Sequence, residues 1–367
     1  MHRVGRPTLG VVLLVLASSV LAIGQQNTPS SPSSPATGVQ QPDAAADPNG
    51  LPPRTSMPPA AAQEQANPAG EPSANQPSIS PESPSNGDSG MFVFKKQVEE
   101  VVLHATVVDD KQRPAAHLDR GAFTVIEDGQ PQTITSFRRE DVPVAIGIVI
   151  DNSSSMRDKR DQLNQAVLNL VRASNPQDQV FVVNFSQNPY LDQDFTSNIG
   201  LLENALHRTT MQGTTALYDA IVASAIHIEK DTRLEKKILL VITDGKDNMS
   251  RATLQEATRR LQEKDGPTLY AIGLMGMQQQ NSGREALQKL ADATGGSSFF
   301  PASLDEVGAI TLGLAHDIRS QYTIAYKPQD QKDRTSYHPI VVEAQAAGYG
   351  KLTVRTRNGY YSGETVR

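Results

Sequence analysis

Residues 144–155 have the sequence VAIGIVIDNSSS, in which an unbroken apolar run ends in a carboxylate and three hydroxyls. An apolar run of this length, rich in β-branched residues, is typical of a strand buried on both faces of a parallel sheet. The D-x-S-x-S that follows (Asp151, Ser153 and Ser155) then lies at the strand's carboxyl end, where open α/β sheets bind ligands. Oxygen donors without Cys or His suit a hard cation such as Mg²⁺. We therefore predict a divalent-cation site at this edge.

Two further segments extend the pattern. Residues 237–242 (KILLVI) form a second buried-strand run, which ends in Thr243-Asp244-Gly245. Between the two runs, residues 213–220 (GTTALYDA) predict a loop that enters a helix. A D-x-S-x-S alone is a weak signal because Asp and Ser are common in turns, whereas the ordered set of three segments is specific. The competing interpretation is that Asp151 and Ser153 only cap the next helix.

The three segments together resemble the von Willebrand factor A domain and its metal-ion-dependent adhesion site, over residues 143–320. The resemblance implies that one coordination position stays open for an acidic group of a protein partner. It implies Mg²⁺ as the ion, with Mn²⁺ and Ca²⁺ as alternatives. It also implies five metal-site residues: Ser153, Ser155 and Thr215 as direct ligands, and Asp151 and Asp244 mostly through water.

The choice of ligands also has a physical reason that does not depend on the family resemblance. Three hydroxyls are neutral, so they leave most of the ion's charge unquenched, and the ion can still attract an external carboxylate. Thr215 is preferred over Thr214 because it precedes the ALYDA stretch as the family's Thr does. Ser154 stands where many family members carry Gly, which puts the backbone conformation of this loop in doubt.

The chain of 367 residues divides by composition into a non-globular start and a folded remainder. A basic start, an apolar core and a small-residue ending predict a secretory signal peptide, with an uncleaved anchor as the alternative. Residues 25–90 hold 14 of the 24 prolines and no aromatic residue, which is typical of disorder. We expect five regions: a signal peptide (1–24), a disordered Pro/Ser/Ala-rich linker (25–90), an N-terminal β segment (91–142), the A domain (143–320) and a C-terminal β segment (321–367).

Strand–helix alternation within the A domain predicts an α/β fold with a doubly wound, mostly parallel sheet. The flanks are predicted to be antiparallel. In the N-terminal flank, residues 123–127 and 133–137 lie on either side of Asp128-Gly129, a hairpin signal. Each flank alone makes a marginal sheet, so we expect the two flanks to pack together as one β-sandwich, with the A domain inserted between them. Two separate sheets, each leaning on the A domain, are the alternative.

Three short motifs mark the layout of the flanks. They are D-x-x-x-R-P at residues 109–114, E-D-G-x-x-Q at residues 127–132 and R-x-G-Y-Y at residues 357–361. With the central segments they resemble a group of secreted bacterial A-domain proteins of the acidobacterial type, over residues 95–362. That resemblance implies export and binding, and little further about function.

The functional expectation is an exported, non-enzymatic binding module, periplasmic or extracellular, that captures an Asp or Glu carboxylate of a protein partner. The net charge of −6 argues against nucleic acid as a main partner, and no segment after the signal peptide is predicted to span a membrane. Nucleophile-elbow, Walker and dinucleotide motifs are absent. The alternatives are a scaffolding component of a cell-envelope assembly, in which the metal only stabilises, and an enzyme subunit. The partner's identity and the oligomeric state stay open.

The remaining titratable residues are expected to be structural. Asp158 and Asp161 follow the metal loop, and we expect them to interact with a helix dipole rather than to form a second Ca²⁺ site, since Lys159 and Arg160 separate them. The predicted solvated surface charges include two acidic residues after the second strand, Asp192 and Asp194. The seven histidines are scattered, and each is expected to be a surface or structural residue.

Overall fold

The computed structural model describes residues 55–57, 100–139, 141–208, 213–274, 281–329 and 336–362. The predicted signal peptide lies outside the described residues, as does the predicted linker apart from residues 55–57. Residues 91–99 of the predicted N-terminal β segment also lie outside them. Within the described ranges, no helix combines the length and the apolar character needed to cross a bilayer.

Strands dominate both ends of the folded chain, and strands and helices alternate between them. The strands of the described residues are β1 (Thr55–Ser56), β2 (Val101–Val108), β3 (Phe123–Glu127), β4 (Gln130–Gln132), β5 (Ile134–Arg138), β6 (Val144–Asp151), β7 (Gln179–Phe185), β8 (Pro189–Thr196), β9 (Lys236–Thr243), β10 (Thr268–Gly273), β11 (Ser298–Phe299), β12 (Tyr322–Tyr326), β13 (Tyr337–Ala344), β14 (Thr353–Arg355) and β15 (Gly359–Tyr361). The helices are α1 (Arg160–Ala173), α2 (Ile199–Leu206), α3 (Leu217–Asp231), α4 (Leu254–Leu261), α5 (Asn281–Thr294) and α6 (Asp305–Ser320), with short 3₁₀ turns at Arg120–Ala122 and Ser154–Lys159.

The central sheet has the order β1-β8-β7-β6-β9-β10-β11. Strands β7, β6, β9, β10 and β11 are parallel, and β8 is antiparallel to β7. Every residue of β6 is buried, as expected for a strand covered on both faces. Gly147 is required there, because a Cβ would lie 2.3 Å from the Phe181 ring and 2.6 Å from Leu239. The predicted doubly wound, mostly parallel α/β fold is confirmed.

Two apolar layers cover the faces of this sheet. Helices α1, α2 and α6 pack on one face over a core that includes Ile148, Leu163 and Leu202. Helices α3, α4 and α5 pack on the other face over Val149, Ile221 and their neighbours. The alternation of Ile148 and Val149 between the two cores follows from the two-residue repeat of a strand. Burial of both faces leaves the ends of the strands as the exposed rims of the sheet, where loops can build a site.

The flanking strands form two four-stranded antiparallel sheets, with the orders β14-β2-β12-β5 and β15-β13-β3-β4. Each sheet combines strands from before and after the central α/β region, since β2 pairs with β12 and β3 pairs with β13. Both sheets bury side chains in one shared core, which includes Leu103, Val125, Ile324 and Ile340. The two flanks therefore make one two-sheet unit. The first and last strands at the insertion point are neighbours, with Arg138 of β5 paired to Thr323 of β12.

The hairpin around Asp128-Gly129 differs from the sequence prediction in its second strand. Asp128 and Gly129 have φ values of 52° and 75°, the two positive values that a type I′ turn requires. Such a turn places Gln130 directly opposite Glu127, so β4 consists of residues 130–132. The prediction that residues 133–137 form the hairpin partner is wrong, because that segment crosses to the other sheet and pairs with β12 as β5.

A three-residue segment of the predicted disordered linker is ordered. Thr55 and Ser56 pair antiparallel with Leu191 and Tyr190 of β8. Met57 follows with 7% exposure and joins the core below α3. An edge strand has backbone groups without partners, and β1 satisfies them on β8. The prediction of disorder for residues 25–90 is therefore wrong for residues 55–57, because composition does not reveal where a short segment finds an edge.

The closing strand also connects the two-sheet unit to the α/β unit. The buried guanidinium of Arg357 donates to the carbonyls of Leu261 (3.3 Å), Glu263 (2.9 Å) and Lys264 (2.5 Å), at the end of α4. The last carbonyls of a helix lack intrahelical donors and favour a cation. Burial lowers the pKa of Arg357. Arg357 therefore ties residues 357–361 to the carboxyl end of α4.

Candidate metal centre

Asp151 is the last residue of β6 and is fully buried. Its Oδ1 accepts a hydrogen bond from the backbone N–H of Ser153 at 2.7 Å, and its Oδ2 accepts one from the Thr243 hydroxyl at 2.6 Å. Because β6 and β9 are parallel neighbours with Ile150 opposite Ile242, Asp151 and Thr243 reach the same edge of the sheet. Burial raises the pKa of Asp151, and the charge of Asp244 adds to this rise. A positive charge nearby would oppose both effects.

The two predicted serine ligands lie next to each other and to the second carboxylate. Ser153 Oγ lies 3.2 Å from Ser155 Oγ, and the Ser155 hydroxyl donates to Asp244 Oδ1 at 2.9 Å. Neighbouring ligands of an octahedral Mg²⁺ lie about 2.9 Å apart, since each metal–oxygen bond is about 2.0–2.1 Å. Ser153 is buried, whereas Ser155 is exposed, so the group opens towards solvent on the Ser155 side. The spacing and chemistry of these oxygens suit Mg²⁺.

Thr215 approaches this group from the third loop, just before α3. A Cβ on Gly245 would lie 3.4 Å from Thr215 Oγ1 and 3.8 Å from Asp151 Oδ2, so both oxygens face the same glycine. The Thr215 N–H donates to Asn248 Oδ1 at 2.8 Å, and the Asn248 N–H donates back to the Thr215 carbonyl at 3.0 Å. The five predicted residues thus lie in three loops at one edge, with Thr215 held by a residue that the motif does not include.

The loop after β9 and the start of α3 are joined by reciprocal hydrogen bonds. Asp247 accepts from the N–H of Tyr218 at 3.1 Å, at the amino end of the helix. In the opposite direction, Asp219 accepts from the N–H groups of Arg251 (3.1 Å) and Ala252 (2.9 Å). The first bond satisfies one of the free N–H groups at the start of α3, and the set together holds the loop after β9 against the helix. In the sequence, Asp247 has the position of an ordinary turn residue after Gly245, so local pattern does not reveal this contact.

Lys159 adds a positive charge to the site. Its ammonium group contacts Asp244 Oδ2, while Asp244 Oδ1 accepts from Ser155. The Asp244 side chain is only 4% exposed and that of Lys159 is 27% exposed, so the pair is partly shielded from solvent. The lysine offsets one of the two negative charges of the site. From the sequence alone, Lys159 argued only against a second Ca²⁺ site beside Asp158 and Asp161, and its contact with Asp244 was not predicted.

The other acidic residues near the site lie in different surroundings, and one of them differs from its prediction. Asp158 lies in the exposed 3₁₀ turn, and Asp161 lies in the first turn of α1, where its charge interacts favourably with the helix dipole. Asp194 is exposed, as predicted. The prediction for Asp192 is wrong. Its side chain is fully buried and accepts from Asn184 Nδ2 at 2.6 Å, with Arg208 4.0 Å away, because β8 turns this residue inwards under α2.

Comparison with known proteins gives one family match. The model of the von Willebrand factor type A domain matches residues 145–311. No curated protein matches the chain significantly.

Several solved structures share part of the fold. A von Willebrand factor type A protein from Catenulispora acidiphila is 13% identical, with 74% of this chain and 76% of that chain covered and a TM-score of 0.43. Proximal thread matrix protein 1 from the mussel byssus, with a zinc-occupied MIDAS motif, is 18% identical, with coverages of 53% and 50% and a TM-score of 0.44. The PilB minor pilin from Streptococcus sanguinis is 12% identical, with coverages of 50% and 63% and a TM-score of 0.42.

The present chain thus spans about half the length of the thread protein and less than two thirds of the pilin. All three TM-scores lie below 0.5, so these similarities carry no function over to the chain.

Proposed function

Residues 145–311 are a von Willebrand factor type A domain, and from this premise we propose that the protein is an exported, non-enzymatic binding module. It holds Mg²⁺ at the edge of the central sheet and captures an Asp or Glu carboxylate of a protein partner. The observation that carries the proposal is the 3.2 Å spacing of the Ser153 and Ser155 hydroxyl oxygens, which suits neighbouring ligands of one ion, with Asp244 hydrogen-bonded to Ser155 behind them.

Each side chain has a distinct task in this proposal. The hydroxyls of Ser153, Ser155 and Thr215 hold the ion directly, and the carboxylates of Asp151 and Asp244 hold it through water. Asp151 is already oriented by Thr243 and by the Ser153 N–H, so its carboxylate needs little rearrangement. The ion supplies a positive centre for the partner's carboxylate. The protein supplies its position and its access to solvent, on the side of the exposed Ser155.

The charge balance of the site favours an anionic partner. Asp151 and Asp244 contribute two negative charges, and Lys159 contributes one positive charge. A divalent ion therefore leaves the site with one net positive charge. The attraction is strongest at short range, because salt screens exposed charges beyond about 8–10 Å. The protein as a whole carries a net charge of −6, so it does not steer acidic groups from a distance. The cation therefore selects an acidic group by direct contact.

The test compares two neighbouring exposed serines. Ser155→Ala removes a proposed ligand, whereas Ser154→Ala removes a hydroxyl of the same loop that is not a proposed ligand. We expect Ser155→Ala to weaken Mg²⁺ binding at least about tenfold in calorimetric titration, the lower end of what outer-sphere changes cost. Wild-type protein and Ser154→Ala should gain about 2.7 kcal/mol of stability at 100 times the dissociation constant. Equal Mg²⁺ affinity in the two variants would contradict the proposed ligand set.

Partner capture is tested on intact cell envelope. Immobilised wild-type protein should retain a partner in Mg²⁺ and release it with a chelator, and Ser155→Ala should retain none. If the protein were instead a scaffolding component with a purely stabilising ion, Ser155→Ala would lose the Mg²⁺-dependent thermal shift and retain the same partners.

A further inference from the structure

A second cluster of ligand-type side chains lies at the two-sheet unit, away from the adhesion site. Glu127, Asp128 and His338 each offer one ligand atom, and these atoms lie within 4.8 Å of one another. His338 Nδ1 is 2.7 Å from Asp128 Oδ2 and 3.8 Å from Glu127 Oε1. Both carboxylates therefore approach the same ring nitrogen. The type I′ turn brings Asp128 over β13, whose Pro339 carbonyl accepts from the Asp128 N–H at 3.1 Å.

Glu127 carries a buried oxygen without a hydrogen-bond partner among the described residues. The residue is 3% exposed, its Oε1 accepts from the Tyr360 hydroxyl at 2.9 Å, and its Oε2 is orphaned. The Tyr326 hydroxyl is a neighbour of this carboxylate, and burial together with the charge and hydrogen-bonding influence of Glu127 raises its pKa. Leaving a buried carboxylate oxygen without a partner costs several times the net value of a hydrogen bond. The Glu127 carboxylate, whose Oε1 faces His338, therefore keeps hydrogen-bonding capacity that the described residues do not fill.

The surroundings orient the three side chains as metal ligands require. His338 Nε2, the nitrogen that faces away from the carboxylates, lies 3.0 Å from Ser362 Oγ. Its ring stacks on Tyr360, with centroids 5.3 Å apart and an interplanar angle of 29°. Metal-binding histidines typically engage their second nitrogen in such a contact, and metal-binding carboxylates are themselves hydrogen-bonded, as Glu127 is by Tyr360.

We propose that Glu127, Asp128 and His338 form a second metal site, which binds a first-row divalent transition ion of the Zn²⁺ type. One imidazole and two carboxylates suit such an ion, whereas the adhesion site has only oxygen donors. Ligands of a tetrahedral Zn²⁺ lie about 3.4 Å apart. The separations of 2.7 and 3.8 Å bracket that value, so shifts of roughly half an ångström complete the geometry.

The proposed site would assign a role to two sequence motifs that have no part in the proposed adhesion function. Glu127-Asp128 belongs to the E-D-G-x-x-Q hairpin, and Tyr360 belongs to the closing R-x-G-Y-Y. A bound ion would join β3 and its turn to the neighbouring strand β13, and Tyr360 of β15 would support it through the hydrogen bond to Glu127. The proposal does not depend on the adhesion site, because its ligands lie at the sheet of β15, β13, β3 and β4, whereas the adhesion site lies at the edge of the central sheet.

The experiment counts Zn²⁺ equivalents on the folded protein, by calorimetric titration and by the visible absorption of Co²⁺ as a substitute. We expect wild-type protein to bind one equivalent more than His338→Ala. Asp128→Asn should weaken this equivalent at least about tenfold. Asp128 is exposed with φ of 52°, a conformation that Asn tolerates, so this second variant keeps its fold even if His338→Ala does not.

His227 provides the matched control. It also has two carboxylate neighbours, but Asp194 lies 3.0 Å from Nε2 and Asp231 lies 2.9 Å from Nδ1, on opposite sides of the ring. One ion cannot use both, so His227→Ala should bind Zn²⁺ as the wild type does. Ser155→Ala should also retain the equivalent, which separates this site from the adhesion site. Equal Zn²⁺ stoichiometry and affinity in wild-type protein and Asp128→Asn would overturn the proposal.

Discussion

At the scale of single residues, the Lys159–Asp244 contact alters the charge of the proposed metal site. The lysine withdraws one carboxylate oxygen and repels a cation, yet it favours an anion. Lys159→Met should therefore tighten Mg²⁺ binding by roughly fivefold, about 1 kcal/mol of partly screened repulsion. The same change should weaken capture of an acidic partner. Calorimetric titration of Mg²⁺ measures the first effect.

Lys246→Met is the control for that substitution. Lys246 is exposed and lies two residues beyond Asp244, so its loss changes the net charge by the same amount without touching the carboxylate. Its Mg²⁺ affinity should stay near that of the wild type. If both variants tightened Mg²⁺ binding equally, the effect would belong to the overall charge of the protein and not to the contact.

The proposed ligands were visible in the sequence because their types, order and flanking strands are all local features. The residues that support them were not. Asn248 holds Thr215 only because two distant loops meet, and no local pattern distinguishes it from a turn residue. Asp192 looks like a surface charge until β8 is known to turn it towards Asn184. His338 gains its partners through the pairing of β13 with β3, which joins segments more than 200 residues apart.

At the scale of elements, the Asp128-Gly129 turn should show the cost of positive φ. Gly129 has φ of 75° and no atom within 4 Å of an added Cβ, so Gly129→Ala changes only the backbone preference. We expect it to lower the free energy of unfolding by about 1 kcal/mol. Gly308 in α6 also has open space around an added Cβ, but its backbone is helical. Gly308→Ala should raise stability by up to about 1 kcal/mol. Urea denaturation of both variants gives the two values, and equal effects of the same sign would contradict the turn assignment.

Strand β1 offers a second prediction at this scale. Met57 is buried in the core beside β8, whereas Ser56 in the same segment is exposed. Met57→Ser should cost about 2 kcal/mol, and Ser56→Ala should change stability by less than about 0.5 kcal/mol. The same denaturation curves measure both. Indistinguishable variants would show that residues 55–57 contribute nothing to the folded state.

The parallel strands and their helices followed from the sequence because apolar runs and helical periods are local signals. The sequence did not predict the pairings of β1, β4 and β5. Each of them depends on which strand edge is available after the rest of the chain has folded. Hydrophobic patterning therefore predicted the elements better than their partners.

At the scale of the whole molecule, His104 makes stability depend on pH. It lies on β2, close to the charges of Lys236 and Arg357. Burial, assisted by those two charges, lowers its pKa from 6.5 to about 3. Below pH 6.5 the unfolded chain therefore binds a proton that the folded protein does not bind until about pH 3. The contribution of His104 to stability is fully present above pH 6.5 and is lost as pH falls, by up to about 1.4 kcal/mol per pH unit.

His104→Gln tests this effect without adding a titrating group. The stability difference between wild-type protein and variant should shift by about 2 kcal/mol in favour of the variant when the pH falls from 7 to 5. Unfolding in urea at both pH values provides the comparison, and other groups cancel because they are common to both proteins. A difference that is independent of pH would mean that His104 has the same pKa in the folded and unfolded states, and would contradict the lowered value.

The insertion of the A domain between two halves of one two-sheet unit was predicted beside an equally simple alternative. Composition shows that both flanks are β-rich, but it cannot show that each sheet combines strands from both ends of the chain. The choice between the two arrangements depends on the apolar area that each flank would expose if it formed a sheet alone. The shared core buries this area.

The pairing of Arg138 with Thr323 means that the chain leaves the two-sheet unit and returns to it on neighbouring strands, about 5 Å apart. The inserted region therefore begins and ends at adjacent points of the two-sheet unit. A two-residue turn could close β5 directly onto β12 as an ordinary hairpin, and a different insert with adjacent ends could be mounted on the same base. Replacement of the inserted region is therefore a route by which relatives of this protein could change that domain while the strand pairing of the two-sheet unit is kept.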